Sequence, residues 1–471
     1  MNIDGKTRVL GLLGDPVEHT MSPVIHNTLS ELLGINNVYV PFHTSREGLA
    51  DAVKGAYELN ILGLNATVPH KNNVIESLSD IDDGARAIGA VNTLVRTGKG
   101  YKGYNTDMMG LYRELQTYNI ELRDRMVVIL GGGGAARAAS YMCMLHGAAR
   151  VYILNRTLDK AKTIADDMNR CFGREGALAM ELSDYKQMER VYEHMDEKSG
   201  VGGELRKGFI VFQSTPIGLY PNIDDVVIED EAFYRMVGVG IDLIYNPFET
   251  RFMKLCKRAG AASYNGLRML LYQGVIAYEL WNDISIPEDT CDVIYEKLEK
   301  TVKGNVVLIG FMGCGKSTIG RKLSEKLGYR LIDVDAYIEE KQGCTISDIF
   351  AEKGEGYFRE LETKAVDELN ESFSHTVICT GGGLPMREEN HERLRRLGEI
   401  VYLDVTPEEV IGRLEGDTTR PLLQGDDVEA RVRGLMENRR PVYESLADIS
   451  IEENGKAIED IVKEIVWELS R

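Results

Sequence analysis

No stretch of the 471 residues holds the ~20 consecutive apolar residues of a membrane span, so none is expected to cross a bilayer. Basic residues are too few to balance the acids: 55 Lys and Arg against 74 Asp and Glu leave a net charge of −19. Such a surface repels phosphate backbones and anionic lipid, so neither nucleic acid nor a membrane is expected as the main partner. Cysteine is scarce and unpatterned. The seven, at 143, 171, 256, 291, 314, 344 and 379, are odd in number and form no CxxC pair. That excludes a disulfide framework and a zinc knuckle, and makes a reducing, cytoplasmic setting the expectation. No His, Cys and Asp set at ligand spacing surrounds His19 or His70, so both are read as loop or structural histidines. No apolar run precedes Gly11, so no leader segment is expected. Tandem repeats and low-complexity tracts are also lacking.

What is present is an ordinary globular mixture, 43% apolar and 27% charged, long enough for about three domains of ~150 residues. Glycine, at 48 residues, exceeds the usual ~7%. The excess lies in loops after short apolar runs rich in Val and Ile. These are Val9–Leu13, Met126–Leu130, Arg150–Leu154, Phe209–Phe212, Val306–Ile309, Val377–Ile378 and Ile400–Leu403. Several end in glycine and then a helical stretch, the pattern of parallel strands in α/β sheets. Helical periodicity from Met269 to Trp281 breaks at Asn282–Pro287 and resumes to Lys300. A linker is expected over 297–304, before a fresh strand, and the polar stretch Asp196–Gly208 is expected as a surface loop.

Beyond that linker, Gly310-Phe311-Met312-Gly313-Cys314-Gly315-Lys316-Ser317, followed by Thr318, fits the phosphate-loop pattern GxxxxGK(S/T). It lies between the strand Val306–Ile309 and a helix expected over Thr318–Leu327, the context the motif requires. The glycines let backbone N–H groups converge on phosphates, Lys316 reaches the outer ones, and Ser317 can ligate Mg²⁺. Asp333-Val334-Asp335 ends the apolar run Arg330–Ile332. Two acids at i and i+2 of a strand face one side, so both are expected to point at the loop. A carboxylate ligand wants planar guanidinium donors such as Arg359 and Arg439. The triple glycine Gly381–Gly383 lets a backbone approach a small ring closely.

These motifs, with Gly354–Arg359, Thr380–Gly383, Arg420-Pro421-Leu422-Leu423 and Arg439-Arg440-Pro441-Val442-Tyr443, occur in the order found in shikimate kinase, which residues 304–471 resemble. The resemblance implies a P-loop α/β domain of the nucleoside-monophosphate-kinase type, with ATP and Mg²⁺. Gly313, Cys314, Gly315, Lys316, Ser317 and Thr318 would bind nucleotide, and Arg420 would sit in a lid over it. Ser317 and Asp333 would hold the metal. Lys316 and Asp335 would be catalytic, Asp335 deprotonating the acceptor hydroxyl. Asp335, Arg359, Gly381, Gly382, Gly383 and Arg439 would bind the substrate, the two arginines near its carboxylate. Cys314 stands where the pattern accepts any small residue, and its thiol is assigned no role.

In the first unit, Gly131-Gly132-Gly133-Gly134-Ala135-Ala136 follows Met126–Leu130 and opens a helix over Ala135–Leu145, the setting of a dinucleotide site. The next strand, Val151–Leu154, ends in Asn155-Arg156-Thr157 rather than an acid. An acid there accepts the ribose hydroxyl of NAD, whereas arginine accommodates a 2′-phosphate, so NADP is expected. Lys160 adds charge to the same place. Gly14–Pro23, Asn65–Lys71, Gly89–Thr93 and Gly103–Asp107 put hydroxyls, amides, a lysine and an acid among apolar runs. Singly, each is a turn whose side chains bond their own backbone, and a lysine near an aspartate is most often a surface ion pair.

In order, and with Asp242–Pro247 and Gly266–Gln273, they resemble the shikimate dehydrogenase family over residues 5–292. The resemblance implies a substrate-binding α/β domain of about 1–108 plus 265–296, and a Rossmann NADP-binding domain of about 109–264. Lys71 and Asp107 would be the catalytic pair. Thr20, Ser22, Thr67, Asn92, Asp107, Tyr245 and Gln273 would bind substrate. Gly131, Gly132, Gly133, Gly134, Ala135, Asn155, Arg156, Thr157, Lys160, Thr215, Leu243 and Gly266 would line the NADP site. Two departures are visible: Thr20 stands where Ser is common, and Gln213 leads Gln213-Ser214-Thr215-Pro216 where Asn usually does. They bear on substrate preference and cofactor affinity.

The expectation is therefore a bifunctional enzyme: residues 1–296 reducing 3-dehydroshikimate with NADPH, and residues 305–471 phosphorylating the shikimate formed. The alternatives are a quinate-preferring dehydrogenase half, a kinase half for another small alcohol, and one half that is catalytically silent.

Overall fold

The computed structural model describes residues 3–18, 20–195, 207–219, 222–414 and 428–469. His19, Arg420 with the three residues after it, and most of the 196–208 stretch lie outside the described residues. Contacts divide the chain into two units, Met1–Leu298 and Glu299–Arg471.

The first unit holds two six-stranded sheets. Across the first, the strands run Asn37–His43, Arg8–Gly14, Gly63–Ala66, Thr93–Thr97, Gly100–Tyr104 and Asp80–Ile81. The first three are mutually parallel, but Thr93–Thr97 runs antiparallel to both its neighbours. The run Val9–Leu13 is parallel to both its neighbours, as its pattern predicts, and the antiparallel strand is one that the apolar runs did not include. Thr97 and Gly100 close a tight hairpin, and a turn that short can only join antiparallel strands.

The second sheet is parallel throughout, in the order Ala262–Asn265, Val237–Asp242, Phe209–Gln213, Met126–Leu130, Arg150–Asn155 and Ala177–Glu181. Its central strands are buried on both faces, Val127, Val128, Ile129 and Leu130 completely so, which is why they read as unbroken apolar runs. This is the doubly wound Rossmann arrangement, and such sheets bind ligands beyond the carboxyl ends of their strands.

The two sheets' domains are joined by the helices Thr106–Thr117 and Leu267–Asn282. A Cβ on Gly110 would lie 2.6 Å from the Gln273 backbone nitrogen, so the missing side chain is what lets these helices touch backbone to backbone.

The second unit is a parallel five-stranded sheet ordered Arg330–Asp333, Thr376–Cys379, Val306–Ile309, Glu399–Asp404 and Ile449–Glu452. Helices cover it, and Val307, Leu308, Ile378, Ile400 and Leu403 form its fully buried centre. Both units are α/β.

The segment 297–304 is not an extended linker. A helix runs from Glu288 to Lys303, and Cys291, Ile294, Leu298 and Val302 are all buried. That helical spacing continues past Lys300, and the helix ends where Gly304 takes a φ of +59°, the left-handed conformation that suits glycine after a helix. Lys303 is itself 1% exposed and pairs with Glu299 at 2.8 Å. Asp335 also departs from expectation. The strand stops at Asp333, which caps the helix Val334–Gln342 by accepting the Asp335 amide, so Asp335 lies in a helical first turn and not on the strand.

Candidate active sites

A cavity of about 290 Å³ opens at the carboxyl ends of Arg8–Gly14 and Gly63–Ala66. Thr20, Ser22, Thr67, Lys71, Asn92, Asp107, Tyr245 and Gln273 all line it, with Asn65 and Leu12 among the rest. Lys71 Nζ donates to Asp107 Oδ2 at 2.7 Å, with their side chains 34% and 20% exposed. The pair is therefore open to a small ligand yet largely removed from bulk water. Asn92 holds the acid in place: its Oδ1 accepts the Thr106 amide at 2.7 Å, and Asn105 caps the same helix through the Met108 amide. The neighbouring Thr20 hydroxyl donates to Ser22 Oγ at 3.1 Å, so the hydroxyl that Thr20 keeps is paired within the loop.

Asn65 was not singled out by its sequence. Its amide donates to the Asn92 carbonyl and Thr93 Oγ1, and its Oδ1 accepts the Tyr39 hydroxyl at 2.7 Å. The signal was there, an amide at the buried end of a strand, but Tyr39 lies 26 residues away. His26, buried against Tyr39, is pushed down to about 3 by burial and stays neutral. His70 is buried and bonds the Thr44 carbonyl.

The glycine turn of the second sheet lies beside the residues expected to share its ligand. A Cβ on Gly132 would strike Asn155, and one on Gly131 would strike Ser214 and come within 3.2 Å of Thr215. Gly133 and Gly134 face open space at the start of the helix Gly134–Leu145, where free N–H groups favour an anion. Gly266 packs on the Leu243 backbone. Thr157 precedes the helix Leu158–Phe172, whose first turn contains Lys160. Arg156 is exposed and lines a separate cavity of about 480 Å³ with Glu181, Leu182, Ser183, Tyr185 and 227–230. That cavity was not anticipated.

In the second unit, Lys316 opens the helix Lys316–Leu327 and its ammonium bonds the Gly310 and Phe311 carbonyls at 2.8 and 3.0 Å. Ser317 Oγ donates to Asp333 Oδ2 at 2.9 Å. The three glycines bring the remaining groups together. A Cβ on Gly381 would sit 2.9 Å from Asp335 Oδ1, and one on Gly383 would sit 2.5 Å from Arg359 Nη1. The Gly382 carbonyl accepts from Arg439 at 3.3 Å and from the Tyr443 hydroxyl at 2.7 Å. Burial, then the neighbouring Asp333, raise the Asp335 carboxyl above its ordinary range, and its Oδ1 has no hydrogen-bond partner. Glu362, 1% exposed, holds Arg359 at 2.7 Å; its i, i+3 spacing from Arg359 was the available clue. Among the described residues no three His, Cys, Asp or Glu side chains cluster as a metal site.

Comparison with known proteins places this geometry in a family. The model of the shikimate dehydrogenase substrate binding domain matches residues 12–94, that of the shikimate 5′-dehydrogenase C-terminal domain matches 266–291, and that of shikimate kinase matches 312–470. A shikimate dehydrogenase (NADP(+)) of Methanopyrus kandleri is 40% identical over 292 residues, 61% of this chain and 94% of the relative. The chain belongs to the shikimate dehydrogenase family. Its C-terminal unit is a shikimate kinase domain. Among solved structures, a shikimate dehydrogenase in complex with NADP⁺ is 35% identical, with a TM-score of 0.54, covering 63% of this chain and 98% of its own. The shikimate dehydrogenase of Listeria monocytogenes, solved with shikimate and NAD, is 27% identical with a TM-score of 0.57 at the same coverage. The likeness to dehydrogenases thus ends where the dehydrogenase unit does, and the kinase domain is additional to it.

Proposed function

We propose that the chain is a bifunctional enzyme that reduces 3-dehydroshikimate to shikimate with NADPH and then phosphorylates that shikimate with ATP. The observation that carries the first half is the Lys71–Asp107 pair set in a cavity with Thr20, Ser22, Thr67, Asn92, Tyr245 and Gln273. NADPH, when bound, supplies the hydride. Lys71 delivers a proton to the carbonyl oxygen as charge builds there, and Asp107 orients the ammonium and accepts a hydrogen bond from a substrate hydroxyl. The hydroxyls and amides around them bind a polyhydroxylated ring. The open N–H groups at Gly133 and Gly134 fit a pyrophosphate, and Arg156 with Lys160 fits a 2′-phosphate.

In the kinase domain, Arg359 and Arg439 hold the carboxylate of shikimate against the Gly381–Gly383 turn. Asp335 takes the proton of the hydroxyl that was made in the first reaction, and its raised carboxyl is a stronger base for that purpose. Lys316 leaves the loop carbonyls for the outer phosphates and offsets charge on the transferring group. The Ser317 hydroxyl and the Asp333 carboxylate are hard oxygen donors and fit Mg²⁺, which neutralises phosphate charge when bound. One assay tests the whole reading: 3-dehydroshikimate, NADPH, ATP and Mg²⁺ are supplied and products followed by mass. Shikimate and then shikimate 3-phosphate are expected; shikimate that accumulates unphosphorylated would remove the second half of the proposal.

A further inference from the structure

Gln213 is one of the two departures from the family pattern in the dehydrogenase unit, and it is completely engaged. At the end of the strand Phe209–Gln213 it is 1% exposed, and each polar atom of its amide is used twice. Oε1 accepts the Thr215 amide at 2.6 Å and the Thr215 hydroxyl at 2.7 Å. Nε2 donates to the Ile217 carbonyl at 3.1 Å and to Asp242 Oδ1 at 3.2 Å. Asp242 is wholly buried at the end of the adjacent strand. It also accepts the Ile244 amide at 3.1 Å and the Thr250 hydroxyl at 2.6 Å. One amide–carboxylate pair therefore ties down two loops. The first, 214–218, abuts the Gly131 turn through Ser214 and Thr215. The second, 243–250, carries Leu243 beside Gly266, and Tyr245 in the substrate cavity.

We propose that Gln213, braced by Asp242, is a positioning residue that holds the Thr215 loop against the glycine turn and so sets the affinity for the nicotinamide cofactor. This rests on the reading of that turn as the NADP site. The length of the side chain is the physical point. An asparagine at the strand end has one methylene fewer and cannot span both Thr215 and Asp242 from the same backbone position. In this chain the longer amide does both, and its loss leaves the half-buried Thr215 and the buried Asp242 with unmet hydrogen bonds.

The test uses the full chain, with shikimate oxidation by NADP⁺ followed while each substrate is varied. Gln213→Leu should raise KM for NADP⁺ by about ten-fold or more, with KM for shikimate within about two-fold of the parent. Thr215→Val should move the same parameter in the same direction, and the double variant should be little worse than Gln213→Leu, because both break one unit. The urea midpoint of the dehydrogenase unit in each preparation serves as the check that this unit is folded. Where Gln213→Leu does not fold, Gln213→Asn decides, and it should raise KM for NADP⁺ by a smaller factor. An unchanged KM for NADP⁺ in a folded variant, or equal losses toward both substrates, overturns the proposal. A parent chain that fails to reduce NADP⁺ at all instead removes the reading beneath it.

Discussion

Lys71 Nζ and Asp107 Oδ2 stand 2.7 Å apart although 36 residues separate them in the chain. Lys71 lies in the turn that follows the strand Gly63–Ala66, where its carbonyl accepts the Val91 amide at 2.8 Å. Asp107 lies in the first turn of a helix whose first amide the Asn92 side chain bonds. The ion pair is thus fixed by backbone on both sides, which makes it a defined donor–acceptor unit instead of a pair of mobile surface charges.

A unit of that kind should fail as one. Lys71→Ala and Asp107→Ala should each lower kcat for shikimate oxidation by at least ~10², and the double variant should be little worse. Steady-state kinetics on the three variants check this. A Lys71→Ala enzyme with normal kcat and raised KM would mean that the lysine only binds.

Arg156 is exposed beside the Asn155 that packs on the glycine turn, and the proposed function assigns it the 2′-phosphate. A charge-assisted contact is worth roughly 1.5–3 kcal/mol. Arg156→Ala should weaken NADPH by about ten-fold or more and leave NADH nearly unchanged, as measured by titration of each cofactor. Equal losses would exclude the assignment.

Lys316→Ala should abolish phosphorylation, because the outer phosphates lose their main protein cation. The same variant should oxidise shikimate at close to the parent rate, since the two units are separately packed. Parallel loss of both activities would show that the sites are coupled.

The pairing of Lys303 with Glu299 dictates where the chain can be cut. Both side chains are almost fully buried, and Lys303 Nζ also reaches Asn370 Oδ1 at 3.2 Å. A kinase fragment beginning at Lys303 removes the carboxylate that faces a buried ammonium, a change that costs about 3–5 kcal/mol. A fragment beginning at Asp292 keeps it and should unfold at clearly higher urea. Equal midpoints would show that the pair contributes nothing to the domain.

Burial raises Asp242 to about 7 from an ordinary 3.8. The folded chain therefore keeps a proton that the unfolded chain has lost. Stability from this group is full below the unfolded value, falls as pH rises through the window from about 3.8 to about 7, and levels off above it. Asp242→Asn keeps the shape and can donate to Thr250 in place of accepting from it. It should flatten the pH dependence of dehydrogenase-unit unfolding and raise its midpoint at pH ~8, by at most ~4 kcal/mol. Parallel pH profiles for parent and variant would refute the shift.

Local chemistry made the larger pieces of this protein readable from its residues. A Val- and Ile-rich run, a glycine turn and a helix specify a strand and the anion-binding helix start after it, because sterics and backbone hydrogen bonding act over a few residues. The turn at Gly131–Gly134 and the loop at Gly310–Gly315 are of this kind. Resemblance of motif order then supplied Lys71, Asp107, Asp335 and the arginines. The tertiary structure decided the rest. The helix through 297–303 followed from burial of Val302 and Lys303, which a polar sequence before a glycine conceals. Asp335 was turned by a helix whose cap is its own neighbour, Asp333. Asn65 and Asp242 act through partners brought from other strands and loops, and the packing that selects those partners has no fixed spacing along the chain.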